Sequence, residues 1–264
     1  MYELFVVDAF VTKYPFSGNP ASVCILDCWK SDIWMQAVAN EMNHSETAFV
    51  LEHKNGFAIR YFTPSTEVPL CGHATLASAF ILWKEGVIAQ SKAIVFYTKG
   101  GTLKLKKEKD IIQMDFPTSS FQEVKYPDQT ALNALSINPL SVFKSEKDIV
   151  FELKNESEIE NYKPDFHSMK LLPYRMIILT AQSKIPNIDF VSRVFAPSAG
   201  IDEDPATGIA ICILGPFWSQ KLSKTRLRAF QASSRGADFD IFVQDQRVVL
   251  SGRATMVLKG RLYV

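Results

Sequence analysis

Few features of this sequence point to a membrane, a nucleic acid or an anionic surface as its partner. Its 264 residues include 29 basic and 28 acidic side chains, which gives a formal net charge of +1. A balance so even lacks the basic excess typical of proteins that bind nucleic acid or anionic lipid. The two longest nearly apolar stretches, 74–83 and 209–218, fall well short of the about 20 residues that span a bilayer. We therefore predict no nucleic-acid partner and no membrane.

Cysteine and histidine are also scarce, with four of each. Cys24 and Cys28 have CxxxC spacing, but no second pair and no histidine cluster completes a zinc site in the sequence, so we predict no metal. Asp8 interrupts the first apolar run, and neither a basic segment nor a small-residue cleavage site accompanies that run. These observations predict a cytoplasmic protein with reduced thiols.

The composition that remains is that of an ordinary globular protein, with 47% hydrophobic and 22% charged residues. The length allows one large domain or two of ordinary size. Short strand-like runs alternate with three helix candidates, of which the first is capped by Ser31 and the second is closed by Gly86: 31–42, 73–85 and 208–221. The pattern weakens between 117 and 147. We predict an α+β protein with domains 1–118 and 119–264, whose last strand can pack on the first half.

The two halves share an internal repeat. Phe62-Thr-Pro-Ser65 matches Phe195-Ala-Pro-Ser198, and each is followed by P-x-x-G-x-A at the start of a helix, in Pro69–Ala74 and Pro205–Ala210. We predict a duplication whose two loop-to-helix junctions face each other across one cleft. Helix N-termini present free N–H groups and partial positive charge, and glycine lets a ligand approach closely. The repeat therefore predicts a site for a small carboxylate at these junctions.

Three ionisable residues near these junctions are candidates for chemistry, and each has a structural alternative. Glu46 is either a surface carboxylate or a base, and His73 is either a capping residue or a neutral hydrogen-bond donor. Asp204 either offsets the helix dipole or faces the other two across the cleft. Cys71 has Thr207 as its counterpart in the second junction, which argues against an epimerase that uses two thiols.

Six segments, in order along nearly the whole chain, resemble the motifs of the PhzF family of phenazine biosynthesis: Ser17–Pro20, Asn43–Phe49, Phe62–Pro64, Pro69–Thr75, Asp202–Gly208 and Gln231–Gly236. That resemblance implies a fold similar to diaminopimelate epimerase, with two pseudo-symmetric halves, each a mixed β-barrel-like sheet around a central helix. It also implies a homodimer that needs no cofactor.

The resemblance further implies an isomerase similar to trans-2,3-dihydro-3-hydroxyanthranilate isomerase, which moves a proton within a small carboxylic acid. Glu46 would be the acid/base, and His73 and Asp204 would bind and polarise the substrate. A burial-raised pKa would suit Glu46 to that role. The substrate-binding positions that the resemblance implies are Asn19, Ser45, Gly72, Gly208 and Ile209.

The sequence also departs from the family's motifs. Where T-G-S-A-H is common, this chain has Thr207-Gly-Ile-Ala-Ile211, and His44 stands where an apolar residue is common. Ile209 thereby lacks a hydroxyl donor to the substrate carboxylate, which argues against the phenazine substrate specifically. Two alternatives stay open: an epimerase or racemase, which needs a second base, and a catalytically silent protein that binds small carboxylates.

Overall fold

The computed structural model describes residues 1–125 and 127–264, which divide into two compact units. The first unit contains Met1–Phe116 and Val249–Val264, and the second contains Pro117–Val248. The sequence-based division at 118/119 differs from these units mainly in the C-terminal segment. That segment belongs to the first unit because its strand pairs along the whole of the first strand of the chain.

The described residues form eighteen strands and six α-helices. The strands are β1 (Tyr2–Ala9), β2 (Asn19–Leu26), β3 (Glu46–His53), β4 (Gly56–Phe62), β5 (Glu67–Val68), β6 (Ile94–Thr98), β7 (Gly101–Glu108), β8 (Ile111–Pro117), β9 (Gln122–Glu123), β10 (Ser141–Ser145), β11 (Asp148–Glu152), β12 (Ile177–Gln182), β13 (Phe190–Ala196), β14 (Ile201–Asp204), β15 (Arg226–Gln231), β16 (Ala237–Gln244), β17 (Arg247–Gly252) and β18 (Ala254–Leu262). The helices are α1 (Asp32–Met42), α2 (Gly72–Lys84), α3 (Gln129–Leu135), α4 (Glu156–Glu160), α5 (Phe166–Lys170) and α6 (Gly208–Leu222).

Both units repeat one pattern of strand pairing. In the first unit β1 and β2 are antiparallel, β2 and β3 parallel, β3 and β4 antiparallel, and β4 and β6 parallel, with the short β5 antiparallel to β4. In the second unit the same order of pairings runs through β10, β11, β12, β13 and β15, with the short β14 antiparallel to β13. Shared pairing order confirms the α+β class and the internal duplication predicted from the repeated motifs.

Each unit has a central helix that is buried nearly all round, as expected for an apolar helix without a polar face. α2 packs against β1, β2, β3 and β18, and α6 packs against β15 and β16. The Trp218 ring of α6 stacks on Phe190 with centroids 5.6 Å apart, and its Nε1 donates to Thr180 Oγ1 at 2.9 Å. The Trp83 ring of α2 is also buried and donates to the Lys92 carbonyl. Both indoles thus combine apolar burial with a satisfied donor.

α6 tolerates a proline in its interior because another segment replaces the lost hydrogen bond. Pro216 has no N–H to donate to the Cys212 carbonyl one turn earlier. The backbone N–H of Ser119 donates to that carbonyl at 3.0 Å instead. The helix therefore runs from Gly208 to Leu222 without an unsatisfied carbonyl at this point.

None of the helices in the described residues is long and apolar enough to cross a membrane.

Candidate active site

The first junction brings Glu46 and His73 together. Glu46 opens β3 directly after the loop that follows α1, whose C-cap Asn43 has left-handed backbone angles (φ 49°, ψ 32°) that turn the chain back to the sheet. His73 is the second residue of α2 and is 4% exposed. Its Nε2 lies 3.3 Å from Glu46 Oε2, at ion-pair distance but without hydrogen-bond geometry. A buried N–H group thus lies beside a carboxylate without donating a hydrogen bond to it.

Asn19 fixes which nitrogen of His73 carries the proton. Its side-chain Nδ2 lies 3.2 Å from His73 Nδ1, and its Oδ1 accepts a hydrogen bond from Ser45 Oγ at 3.3 Å. With the amide in this orientation its NH₂ group donates to Nδ1, so the proton of the neutral ring is on Nε2, facing Glu46. Asn19 and Ser45, which the sequence places among the substrate-binding residues, therefore also hold His73.

The backbone before Asn19 requires a glycine. Gly18 has φ +75°, and a Cβ at this position would lie 2.2 Å from the Ala9 carbonyl oxygen. A side chain could not fit at that distance, so glycine is needed for the close approach of two backbone segments. This approach carries Asn19 into β2 next to β1, where the pair Ala9 and Asn19 ends the ladder.

Burial keeps His73 neutral. Burial, together with a smaller effect of the nearby His44, lowers the pKa of His73 to about 3. His44 is itself tied to the sheet, since its Nδ1 lies 2.7 Å from Ser22 Oγ. The sequence suggests the helix dipole as the reason for a neutral His73, whereas the main physical cause in the structure is desolvation. A neutral imidazole with Nε2–H can donate a hydrogen bond to developing negative charge.

Cys71 completes the cluster. It is the N-cap of α2 with extended backbone angles, and its side chain does not cap the helix. Its Sγ lies 3.5 Å from His73 Nδ1, and one ligand atom of each of Cys71, His73 and Glu46 lies within 4.8 Å of the others. The thiol is 7% exposed. We predicted no role in the site for this cysteine from the sequence, because its neighbours in the cluster come from β2 and β3.

The second junction holds Asp204 through a compact hydrogen-bond network. Thr207 Oγ1 donates to Asp204 Oδ2 at 2.6 Å, and the buried Gln231 accepts from the Thr207 backbone N–H at 2.9 Å. The Gln231 Nε2 donates to the Asp204 carbonyl at 2.5 Å. Gln231 belongs to a motif recognised in the sequence, but its role in positioning Asp204 becomes visible only from these contacts.

The remaining predicted positions lie at the start of α6 and α2. Gly72 and Gly208 are the first residues of their helices, and neither N-cap, Cys71 or Thr207, caps its helix with its side chain. Ile209 follows Gly208 and is 39% exposed. The structure brings Asn19, Ser45, Glu46, Gly72 and His73 together in the first unit and Asp204, Gly208 and Ile209 together in the second. The predicted meeting of Asp204 with Glu46 stays a prediction.

Comparison with known proteins decides the family. The model for phenazine biosynthesis-like proteins, PhzC-PhzF, matches residues 7–260. The chain belongs to the PhzF family. A protein of Halalkalibacterium halodurans named as an uncharacterized isomerase is 46% identical over 98% of this chain and 97% of its own length.

Solved structures agree with this membership. A PhzF-family protein of Enterococcus faecalis superposes with a TM-score of 0.94 at 36% identity and covers 100% of this chain and 99% of its own. A predicted epimerase of Pseudomonas aeruginosa superposes with a TM-score of 0.73 at 19% identity over 100% of both chains, which shows a shared fold. The predicted family and the epimerase-like fold are therefore confirmed, and the chain is an enzyme of the isomerase class.

Proposed function

We propose that this PhzF-family protein is a cofactor-independent isomerase that moves a proton within a small carboxylic acid by general acid/base catalysis, with Glu46 as the acid/base. The observation that carries the proposal is the pair formed by the Glu46 carboxylate and the buried Nε2–H of neutral His73, 3.3 Å apart. A base and a hydrogen-bond donor that converge on one point are what a proton transfer from carbon requires.

In the proposed reaction Glu46 takes a proton from one carbon of the substrate. The electron pair of that C–H bond moves into the neighbouring unsaturated system, and His73 Nε2–H donates a hydrogen bond to the negative charge that develops. Glu46, whose carboxyl proton can exchange with solvent between the two steps, then delivers one proton to a second carbon, so that no proton or electron is gained or lost. A positioned carboxylate contributes roughly 10²–10⁴-fold to such a step, and holding the substrate beside it adds to the rate.

Within this proposal Asn19 is a positioning residue as well as a candidate contact for the substrate. By donating to His73 Nδ1 it keeps the proton on Nε2, where the reaction needs it. Ser45 supports Asn19 by donating to its Oδ1. The pair thus acts on the chemistry through His73.

The substrate carboxylate is assigned to backbone amides at helix starts, those of Gly72, Gly208 and Ile209, because free first-turn N–H groups and the helix dipole favour an anion. Asp204, oriented by Thr207, is assigned to a polar group of the substrate. The Ile209 side chain is partly exposed at this helix start, whereas Ile211 is fully buried. Of the two isoleucines that depart from the family motif, Ile209 is therefore the one we expect to change the substrate.

A second candidate, an epimerase or racemase, is favoured by one observation. The Cys71 thiol lies in the same cluster as Glu46 and contacts His73 Nδ1 at 3.5 Å, so a second group able to carry a proton is at hand. An epimerase would remove the substrate proton with one of these groups and deliver a different proton, exchanged with solvent, from the other group. Complete exchange of the α-proton for solvent deuterium, with inversion at that carbon, would support this candidate over the isomerase.

The test is solvent deuterium incorporation into candidate small carboxylates, with trans-2,3-dihydro-3-hydroxyanthranilate first. The wild type is compared with Glu46→Gln and with a matched control, Glu52→Gln, which changes an exposed carboxylate of the same strand β3. Label or product with the wild type and the control, and neither with Glu46→Gln, would support the proposal.

Equal turnover by Glu46→Gln would remove Glu46 as the base. Tight carboxylate binding without turnover, unchanged in Glu46→Gln, would favour a catalytically silent binding protein. The homodimer and the cytoplasmic location stay predictions of the resemblance and of the sequence. Sedimentation at twice the mass of the 29.7 kDa chain would support the dimer.

A further inference from the structure

Three side chains of different ligand type meet in the first unit: a carboxylate, a thiol and an imidazole. One ligand atom of each lies within 4.8 Å of the others. Glu46 Oε2 is 3.3 Å from His73 Nε2, whereas Cys71 Sγ is 3.5 Å from the other ring nitrogen, Nδ1. Tetrahedral zinc, with bonds of 2.0–2.3 Å, holds its ligand atoms about 3.3–3.8 Å apart. The Glu46–Nε2 pair already has this spacing, and rotation of the Cys71 side chain towards Nε2 would complete the set.

We propose that Glu46, Cys71 and His73 form a three-ligand site for a soft divalent transition-metal ion, Zn²⁺ above all, with a fourth position open to water. All three ligand types are common in zinc sites, and three protein ligands with one open position are typical of sites that are not purely structural. The spacing of the sequence gives no sign of this site, because Glu46 enters from a different strand and Cys71 and His73 flank a helix start.

The surroundings of His73 can adapt to such an ion. Nε2 is the nitrogen that faces Glu46, so it is the nitrogen assigned to the metal. A ligating histidine donates its other N–H to an acceptor. Reversal of the Asn19 amide would turn Oδ1 to Nδ1–H and NH₂ to Ser45 Oγ, which can accept as well as donate. The same two residues therefore provide a second shell for the ion.

The donor set also predicts which ions bind. A thiolate ligand selects Zn²⁺ and its neighbours in the transition series, whereas Mg²⁺ and Ca²⁺ require oxygen ligands in greater number. Zinc would bind the Cys71 thiolate, so binding releases the thiol proton to solvent. The cluster is mostly buried. The ion can reach it from solvent at Glu46, whose side chain is 13% exposed.

The consequence for activity rests on the proposed function. A metal on Glu46 occupies the lone pairs that would accept the substrate proton, and it also uses His73 Nε2. Zinc is therefore expected to inhibit the isomerase reversibly, and a chelator is expected to restore it. Binding itself does not depend on the reaction and is measured without a substrate.

The experiment titrates chelator-treated protein with Zn²⁺ by calorimetry and with Co²⁺ by absorption spectroscopy, where a thiolate ligand gives a charge-transfer band. We expect one ion per chain for the wild type and for the control Cys28→Ser, which removes the exposed thiol. Cys71→Ser is expected to abolish the charge-transfer band and to weaken Zn²⁺ binding at least about 100-fold, since loss of a second-shell partner alone costs 10–100-fold.

Glu46→Gln guards against a folding artefact in Cys71→Ser. It keeps the thiol, so the charge-transfer band should persist at higher metal concentration while affinity falls. No binding by the folded wild type, or unchanged binding in folded Cys71→Ser, would overturn the proposal. Zinc that binds as expected but leaves isomerase activity intact would uphold the metal site and count against Glu46 as the acid/base.

Discussion

Replacement of Asn19 tests how the site fixes its histidine, and it needs no substrate. Asn19→Leu keeps a similar volume in a fully buried position and removes two side-chain hydrogen bonds, one to His73 Nδ1 and one from Ser45 Oγ. Net hydrogen bonds contribute about 0.5–1.5 kcal/mol each, so we expect the free energy of unfolding to fall by about 1–3 kcal/mol. Urea denaturation measures this loss.

The effect on the tautomer follows from the same number. Donation from Asn19 favours the Nε2–H form of His73 by about 0.5–1.5 kcal/mol, which is roughly a 2- to 13-fold bias. In Asn19→Leu we expect the preference for the Nε2–H form to shrink by that factor. The contact between Cys71 Sγ and Nδ1 remains in this variant. Nitrogen-15 NMR of labelled histidine distinguishes the two tautomers, and His73→Asn assigns the signals among the four histidines.

Asn19→Asp gives the sharper outcome, because it replaces a donor by an acceptor at nearly constant shape. A carboxylate next to Nδ1 favours a proton on that nitrogen and stabilises the imidazolium, so the pKa of His73 should rise from about 3. The reasoning would be refuted by a His73 that stays in the Nε2–H form with an unchanged pKa in the folded variant. Asn19 would then be a passive neighbour.

Two further predictions concern the support of each junction. Hydrogen bonds from Arg60 lower the pKa of Glu67 to about 2, so the ionised carboxylate stabilises the fold above its ordinary pKa of 4.5. Glu67→Gln should therefore lower the free energy of unfolding by about 1–3 kcal/mol at pH 7, allowing for the partial exposure of the side chain. In urea titrations this difference from the wild type should vanish as the pH falls towards 2. Gln231→Leu should lower the free energy of unfolding by about 2–4 kcal/mol, because three hydrogen bonds around Thr207 are lost; an unchanged urea midpoint would show that the network is dispensable.

The sequence predicted the repeated parts of the fold well, because they depend on local signals. The helix expected over 208–221 is α6, Gly208–Leu222, and the helix expected over 73–85 is α2, Gly72–Lys84, closed by Gly86 as anticipated. A glycine at a helix start and an apolar run behind it are visible without tertiary context. Partner strands distant in sequence, such as β1 and β18, carry no such local signal.

The chemistry of the site was less visible, for a physical reason. Hydrogen bonds such as that between Asn19 and His73 join positions far apart in the chain, so the sequence around neither residue indicates the contact. The same holds for Cys71, whose relation to Glu46 depends on how β3 reaches the start of α2. Residue type and motif order could suggest which side chains matter, but only three-dimensional packing shows which atoms face each other.

The two copies of the junction differ in the side chains that they carry. Aligned on their glycines, Cys71 and His73 of the first junction correspond to Thr207 and Ile209 of the second. Both helices start after an extended N-cap, but only the first copy carries titratable groups at these positions. The first copy buries its imidazole and holds its proton in place. The second uses Gln231 and Thr207 to aim one carboxylate, that of Asp204. Under the proposed function, proton transfer belongs to the first copy alone, as an isomerase with a single acid/base requires.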